Sequence, residues 1–199
     1  MKRKILSASA KVFLERGYAG TSSKMVADLV GVSNGSPFFH YGNKEGVLLE
    51  FVKRMFSGQF RIAERLAGTV TDPLMLYGLE TALQMHIVEL SEPLRELYVT
   101  AYTLSSISAY LYRGTAKRLE GIFGDDLPDA EAKDFYEMEI TSTGMMRSFV
   151  AVPCDVYFTV ERKIARFLEC ALKICNVPPE RRRGRRTIGR VGRYLMTPI

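Results

Sequence analysis

The chain has 199 residues, of which 47% are hydrophobic and 25% charged, with a formal net charge of +6. Those proportions suit a packed soluble protein and exclude a collagen, a disulfide-rich module and a wholly disordered tail. The charge is uneven: residues 1–47 carry +4, residues 48–177 carry −4 and residues 178–199 carry +6, so a polyanion such as nucleic acid suits the ends and not the middle.

No apolar run reaches the roughly 18 residues of a membrane span. The start, Met-Lys-Arg-Lys followed by a broken apolar stretch, is not a signal-peptide core, so a cytoplasmic protein is expected. Cys154, Cys170 and Cys175 are an odd set without a Cys-x-x-Cys pair. They read as reduced thiols, and neither a zinc site nor any other cofactor is expected.

The periodicity is helical nearly throughout and the expected fold class is all-α. Leu6, Ala10 and Phe13 share one face of a first helix over residues 3–16, closed by Gly17. Thr21 is the expected N-cap of a second helix over 24–30. Gly31 breaks that helix, Ser33 can cap a third, and Gly42-Asn43 ends it. A long amphipathic helix follows over 44–66. Further helices are expected over about 74–90, 93–122, 130–151 and 155–176, separated by Pro-containing breaks. No stretch alternates with period two long enough for a strand.

Residues 22–41 therefore hold two short helices joined at Gly31-Val32. Gly31 can adopt the positive φ of a tight turn, and the small Ala27 lets the helices approach. That is helix-turn-helix geometry. The wider stretch 4–52 resembles the N-terminal domain of TetR-family bacterial transcriptional repressors. It does so through Ile5-Leu6-x-Ala8, Val12-Phe13-x-Glu15-x-Gly17-Tyr18-x-x-Thr21, Val26-Ala27-x-x-x-Gly31-Val32-Ser33-x-Gly35-Ser36 and Phe38-x-His40-Tyr41-x-Asn43-Lys44-Glu45-x-x-Leu48.

The resemblance implies a DNA-binding domain over 1–47 and a helical regulatory, ligand-binding and dimerisation domain over 48–199. Thr21 would touch a backbone phosphate, and residues 33–40 would form the recognition helix. Within it Ser33 and Ser36 offer short hydroxyls, Asn34 could pair with an adenine edge, and Gly35 lets the backbone approach DNA. Phe38, Phe39 and His40 complete the surface, and Lys44 would hold a phosphate at the start of the next helix. Phe38 stands where the family usually has a phosphate-donating Tyr. Pro37 replaces an aliphatic residue and leaves the start of the recognition helix open. His40 also has a packed reading, between the first and third helices, and Tyr41 is read as packed.

In the body, His86, Tyr98 and Tyr102 set polar tips into apolar stripes and are the expected ligand anchors, helped by the polar run Thr100, Ser105, Ser106 and Ser108. The resemblance implies that helices 130–151 and 155–176 pair with their twins in a homodimer, and the broad stripe of Val156, Val160, Ile164, Phe167, Leu168, Ala171 and Leu172 is consistent with burial on both sides. The Arg-rich segment after Pro178-Pro179 reads as a solvated basic terminus, with a short amphipathic helix through Ile188, Val191 and Leu195.

The expected function is a repressor that binds a palindromic double-stranded operator as a homodimer and is released by a small-molecule effector. An alternative is a thiol-based redox sensor using Cys154, Cys170 or Cys175. An enzyme is not expected: Gly-rich phosphate loop, nucleophile elbow and metalloprotease motif are all missing.

Overall fold

The computed structural model describes residues 1–33, 38–69 and 72–182, with only the backbone of Arg181 and Arg182. Asn34, Gly35, Ser36, Pro37 and the tail from residue 183, with its arginines and its Ile188, Val191 and Leu195, lie outside the described residues.

The described residues form helices and no strands. Helix α1 (Lys2–Arg16) buries Ile5, Leu6, Val12 and Phe13. Helix α2 (Ser23–Val30) packs on α1 through Val26 and Ala27. Helix α3 (Lys44–Ala67) is 24 residues long and leads from this head into the body. Helix α4 (Pro73–Val88) starts with Asp72 as N-cap and Pro in its first turn, as the sequence indicates. It is buried around most of its circumference, because α3, α5 (Glu92–Thr103), α6 (Ser105–Phe123) and α8 (Val160–Ile174) all pack against it. Helix α7 (Ala132–Ala151) lies against α5, α6 and α8. A short α9 (Pro179–Arg182) follows.

Three expectations on the body are corrected. The pattern over 93–122 reads as one helix, yet it breaks at Leu104, whose backbone is extended. Beside the break the Thr103 hydroxyl donates to the Val99 carbonyl at 2.7 Å and the Ser108 hydroxyl to the Ser105 carbonyl at 3.2 Å. A Ser/Thr-rich run of this kind competes with the helix for its own hydrogen bonds. The last long helix starts at Val160 and not at 155. Asp155 accepts from the backbone of Tyr157 and Phe158, both at 2.7 Å, making a turn, and Thr159 becomes the cap.

The third correction concerns the stripe of α8. Ile164, Phe167, Leu168 and Ala171 are buried within one protomer against α4 and α7. The outward face of α8 is charged, with Glu161, Arg162, Arg166, Glu169 and Lys173. The stripe is consumed inside the chain and carries no information on dimerisation. Val156 and Tyr157, by contrast, are almost fully exposed.

Candidate functional sites: a helix-turn-helix head and a buried cavity

In the head, Gly31 has φ 71° and ψ 41°, and its N–H donates to the Ala27 carbonyl at 2.9 Å. The left-handed residue closes α2 and turns the chain, which only Gly does without strain. Ala27 is buried where α2 meets α1. The positive-φ turn is as read from sequence, and the approach expected at Ala27 involves a second helix that lies partly outside the described residues.

The N-cap is not Thr21. Ser22 accepts from the Met25 N–H at 3.3 Å. Thr21 is buried and donates to the Gly17 carbonyl at 2.8 Å, so its hydroxyl ties the α1–α2 turn and cannot reach a phosphate. Lys44 is also employed inside the head. Its Nζ donates to the Thr21 carbonyl at 2.8 Å and lies 4.3 Å from the centre of the Tyr18 ring. Desolvation holds its pKa below the ordinary lysine value, with Glu96 acting in the opposite sense.

The segment before α3 contains a short 3-10 turn, Phe39–Tyr41. Phe39 is 80% exposed, Ser33 is exposed and His40 half-buried. Phe38 packs on the core, and Tyr41 donates its hydroxyl to the Lys2 carbonyl at 2.9 Å. Around this surface Lys2, Arg3, Lys4, Lys11, Arg16 and Lys24 are exposed, which concentrates positive charge on the head.

The body encloses a cavity of about 70 Å³ between α3, α4, α5, α6, α7 and α8. Tyr102 lines it and its hydroxyl accepts from Gln84. Tyr98 stands behind the wall: it is fully buried, its ring lies 5.9 Å from that of Phe56, and its hydroxyl has no hydrogen-bond partner among the described residues. His86 is half-buried and lies outside the cavity lining. Of the three expected anchors, the fold brings Tyr102 to the cavity, sets Tyr98 behind Phe56, and turns His86 elsewhere.

Among the polar residues of the cavity that escape the sequence reading are Glu80, Gln84, Arg118 and Glu139. Arg118 binds Glu80, reaches Glu64 at 3.1 Å and lies 4.3 Å from the centre of the Phe60 ring. Burial keeps the Glu80 carboxyl above its ordinary range, although Arg118 offsets part of the effect. Glu139 is 6% exposed and accepts from Thr143. Burial raises its pKa to about 7, against the opposing pull of the Thr115 and Thr143 hydroxyls. A usable signal existed: Glu139 lies on the same helical face as Phe135, Ser142, Thr143 and Met146, so a carboxylate interrupts the core stripe of α7.

Two of the thiols lend the sensor reading no support. Cys175 is buried and pushed up to about 12 by desolvation, and Cys154 is also raised by burial. Both shifts oppose the thiolate that oxidation requires.

Head and body meet through two carboxylates. Glu96 of α5 accepts from the Ala19 N–H at 3.2 Å, at the α1–α2 turn, and Ser106 of α6 donates to Glu45 at the start of α3. Tyr102 and Ser106 flank the Leu104 break, so the helices that wall the cavity also hold the head.

Residues 5–51 match the family model of bacterial regulatory proteins of the tetR family. The head is thus a tetR-type DNA-binding domain. Among TetR-type regulators the chain is 29% identical over 99 residues to IcaR of Staphylococcus epidermidis, the negative transcriptional regulator of the biofilm operon icaADBC. That match covers 50% of this chain and 52% of IcaR, so the chain spans about half the length of that relative. Two solved structures share the fold over most of the chain. SmeT, repressor of the Stenotrophomonas maltophilia multidrug efflux pump SmeDEF, superimposes with a TM-score of 0.61 at 21% identity, covering 87% of this chain and 89% of SmeT. Thermus thermophilus FadR, a TetR-family repressor solved with lauroyl-CoA, gives 0.66 at 17% identity, covering 88% and 93%. The TetR architecture, helix-turn-helix head on a helical body, thus extends well beyond the segment where the sequences match. No helix among the described residues is long and apolar enough to cross a membrane.

Proposed function

We propose that this protein is a transcriptional repressor that binds palindromic operator DNA as a homodimer and lets go when a small molecule enters the body cavity. The carrying observation is the shared pair of helices: α5 and α6 both wall the cavity and grip the head through Glu96 and Ser106.

At the DNA, phosphates would be held by Lys24 at the start of α2, with Ser22 in the place first given to Thr21. Lys44 would act by fixing the α1–α2 turn against α3. Base reading falls to the segment with Ser33, Asn34, Gly35 and Ser36, and to the exposed Phe39 and the neighbouring His40, in the major groove. The head is residues 1–47 and the regulatory body residues 48–199. In a dimer two heads would lie about one DNA turn, roughly 34–36 Å, apart.

The second copy would seat on the α7–α8 side, where Ile140, Val152, Val156 and Tyr157 are exposed apolar side chains. In the cavity, Tyr102 and Gln84 would orient the effector. Room for about 70 Å³ is well below the ~300–1,000 Å³ of typical ligand pockets. A ligand would have to widen it, displacing α5 and α6 and with them the head. By linkage, operator DNA weakens effector binding by the same factor as the effector weakens operator binding. The protein would work in the cytoplasm, without a catalytic step.

The test uses the full chain. Selection from random double-stranded DNA should return an inverted repeat, and sedimentation of the complex should show two protomers per site. Recovery of no preferred sequence, or of a non-repeated one, refutes the reading.

A further inference from the structure

Glu139 is a buried carboxylate on the wall of the cavity, with no cation paired to it among the described residues. Its side chain accepts from Thr143, and no ion pair reaches it among the described residues. The cation that does line the cavity, Arg118, is shared between Glu80 and Glu64. The titratable groups that feel the Glu139 charge are Tyr77 of α4, Tyr102 of α5 and Cys175 just beyond α8, all raised by burial and therefore neutral at physiological pH. A buried charge with hydroxyl donors and no counter-charge is expensive.

The walls around it are aromatic. Phe56, Phe60, Tyr77, Tyr102 and Phe167 contribute to the lining, with the Phe56 ring 6.2 Å from those of both Phe60 and Tyr102. The guanidinium of Arg118 on the Phe60 ring shows that this wall takes a cation against a ring face, which aromatic quadrupoles favour.

We infer that the cavity is a site for a compact organic cation, an alkylammonium group seated among the aromatic rings with Glu139 as its counter-charge. The inference rests on the proposed effector cavity and names its ligand class. An anionic ligand would face Glu139 directly and would have to take Arg118 from two carboxylates, so the charge pattern opposes it. A neutral ligand would leave Glu139 unbalanced. With only about 70 Å³ of free space, a small head group needs less widening of the cavity than a long chain does.

The test is calorimetry on the full chain at pH 8 with three probes of one shape: tetramethylammonium, tert-butanol and pivalate. Tetramethylammonium should bind about tenfold more tightly than either of the others, the order expected of a desolvated cation seated on aromatic faces. Glu139→Gln should bring it down to the level of tert-butanol and leave tert-butanol unchanged, which also shows that the variant keeps its cavity. Equal binding of the three probes, a preference for pivalate, no heat from tetramethylammonium, or undiminished cation binding by Glu139→Gln each overturns the inference. DNA is absent from this assay, so the outcome is independent of the repressor reading. Cation binding that never releases operator DNA would leave the site standing and refute the cavity's role as effector site.

Discussion

Replacing Glu139 by Gln should stabilise the empty protein at neutral and alkaline pH. The folded carboxyl has its pKa raised from 4.5 to about 7 by burial. Between those values the folded state holds a proton that the unfolded chain has released, so stability falls as pH rises through the window. At about 1.4 kcal/mol per pH unit, the full loss is about 3 kcal/mol. Gln keeps the shape and cannot ionise. Below about pH 4 the difference between wild type and variant should therefore be constant. From pH 4.5 to 7 the variant should gain steadily, by about 3 kcal/mol, and above that the difference should be constant again. For a chain of this size the gain corresponds to about 6–12 °C in Tm. Urea unfolding of both proteins at fixed protein concentration, at half-unit steps from pH 4 to 8, reads it directly, since every other titrating group cancels in the difference. A stability difference that does not change with pH, or one that moves in favour of the wild type as pH rises, would falsify the account of Glu139 as an uncompensated buried acid.

The two tyrosines should part company. Tyr98→Phe removes a hydroxyl without a partner, so stability in thermal melts should hold or rise by up to about 1 kcal/mol, whereas Tyr102→Phe strands the buried Gln84 amide and should cost about 1–3 kcal/mol; equal effects refute the assignment. Gly31→Ala meets no neighbouring atom but places a Cβ at φ 71°, so it should cost about 1–2 kcal/mol through the backbone alone, and Gly31→Asn less; denaturant midpoints decide, and an Ala variant as stable as wild type would contradict the turn. Leu168→Glu should unfold the protomer rather than dissociate it, since Leu168 is 3% exposed inside one chain. A folded monomer by circular dichroism and sedimentation would overturn this packing. Glu96→Gln weakens the clasp on the Ala19 N–H, and should change the ligand-induced loss of operator affinity more than the affinity of the empty protein; gel-shift titrations with and without effector separate the two.

Much of the fold was legible because its signals are local. Gly31 and Ala27 declare the helix-turn-helix, Asp72-Pro73 marks a helix start, and the 3.6-residue period announces an all-α chain; each depends on neighbours a few positions away. The same holds for the TetR resemblance, which is carried by consecutive residues of the head. What the sequence could not decide is which side of an amphipathic stripe meets what. The stripe of α8 looks the same whether its partner is a second copy or, as here, α4 and α7. Thr21 and Ser22 are both competent caps, and only the packing of the α1–α2 turn, which buries the Thr21 hydroxyl against Gly17, selects Ser22. Lys44 has the charge for a phosphate, but the approach of the Thr21 carbonyl and the Tyr18 ring, 23 and 26 residues away in sequence, is a property of the folded head. The chemistry of the cavity was hidden for the same reason. Glu139, Arg118 and Glu80 lie on three different helices, and a charge is balanced or stranded by whatever the other helices bring against it. Only the tertiary structure pairs Arg118 with Glu80 and Glu64 and leaves Glu139 without a cation.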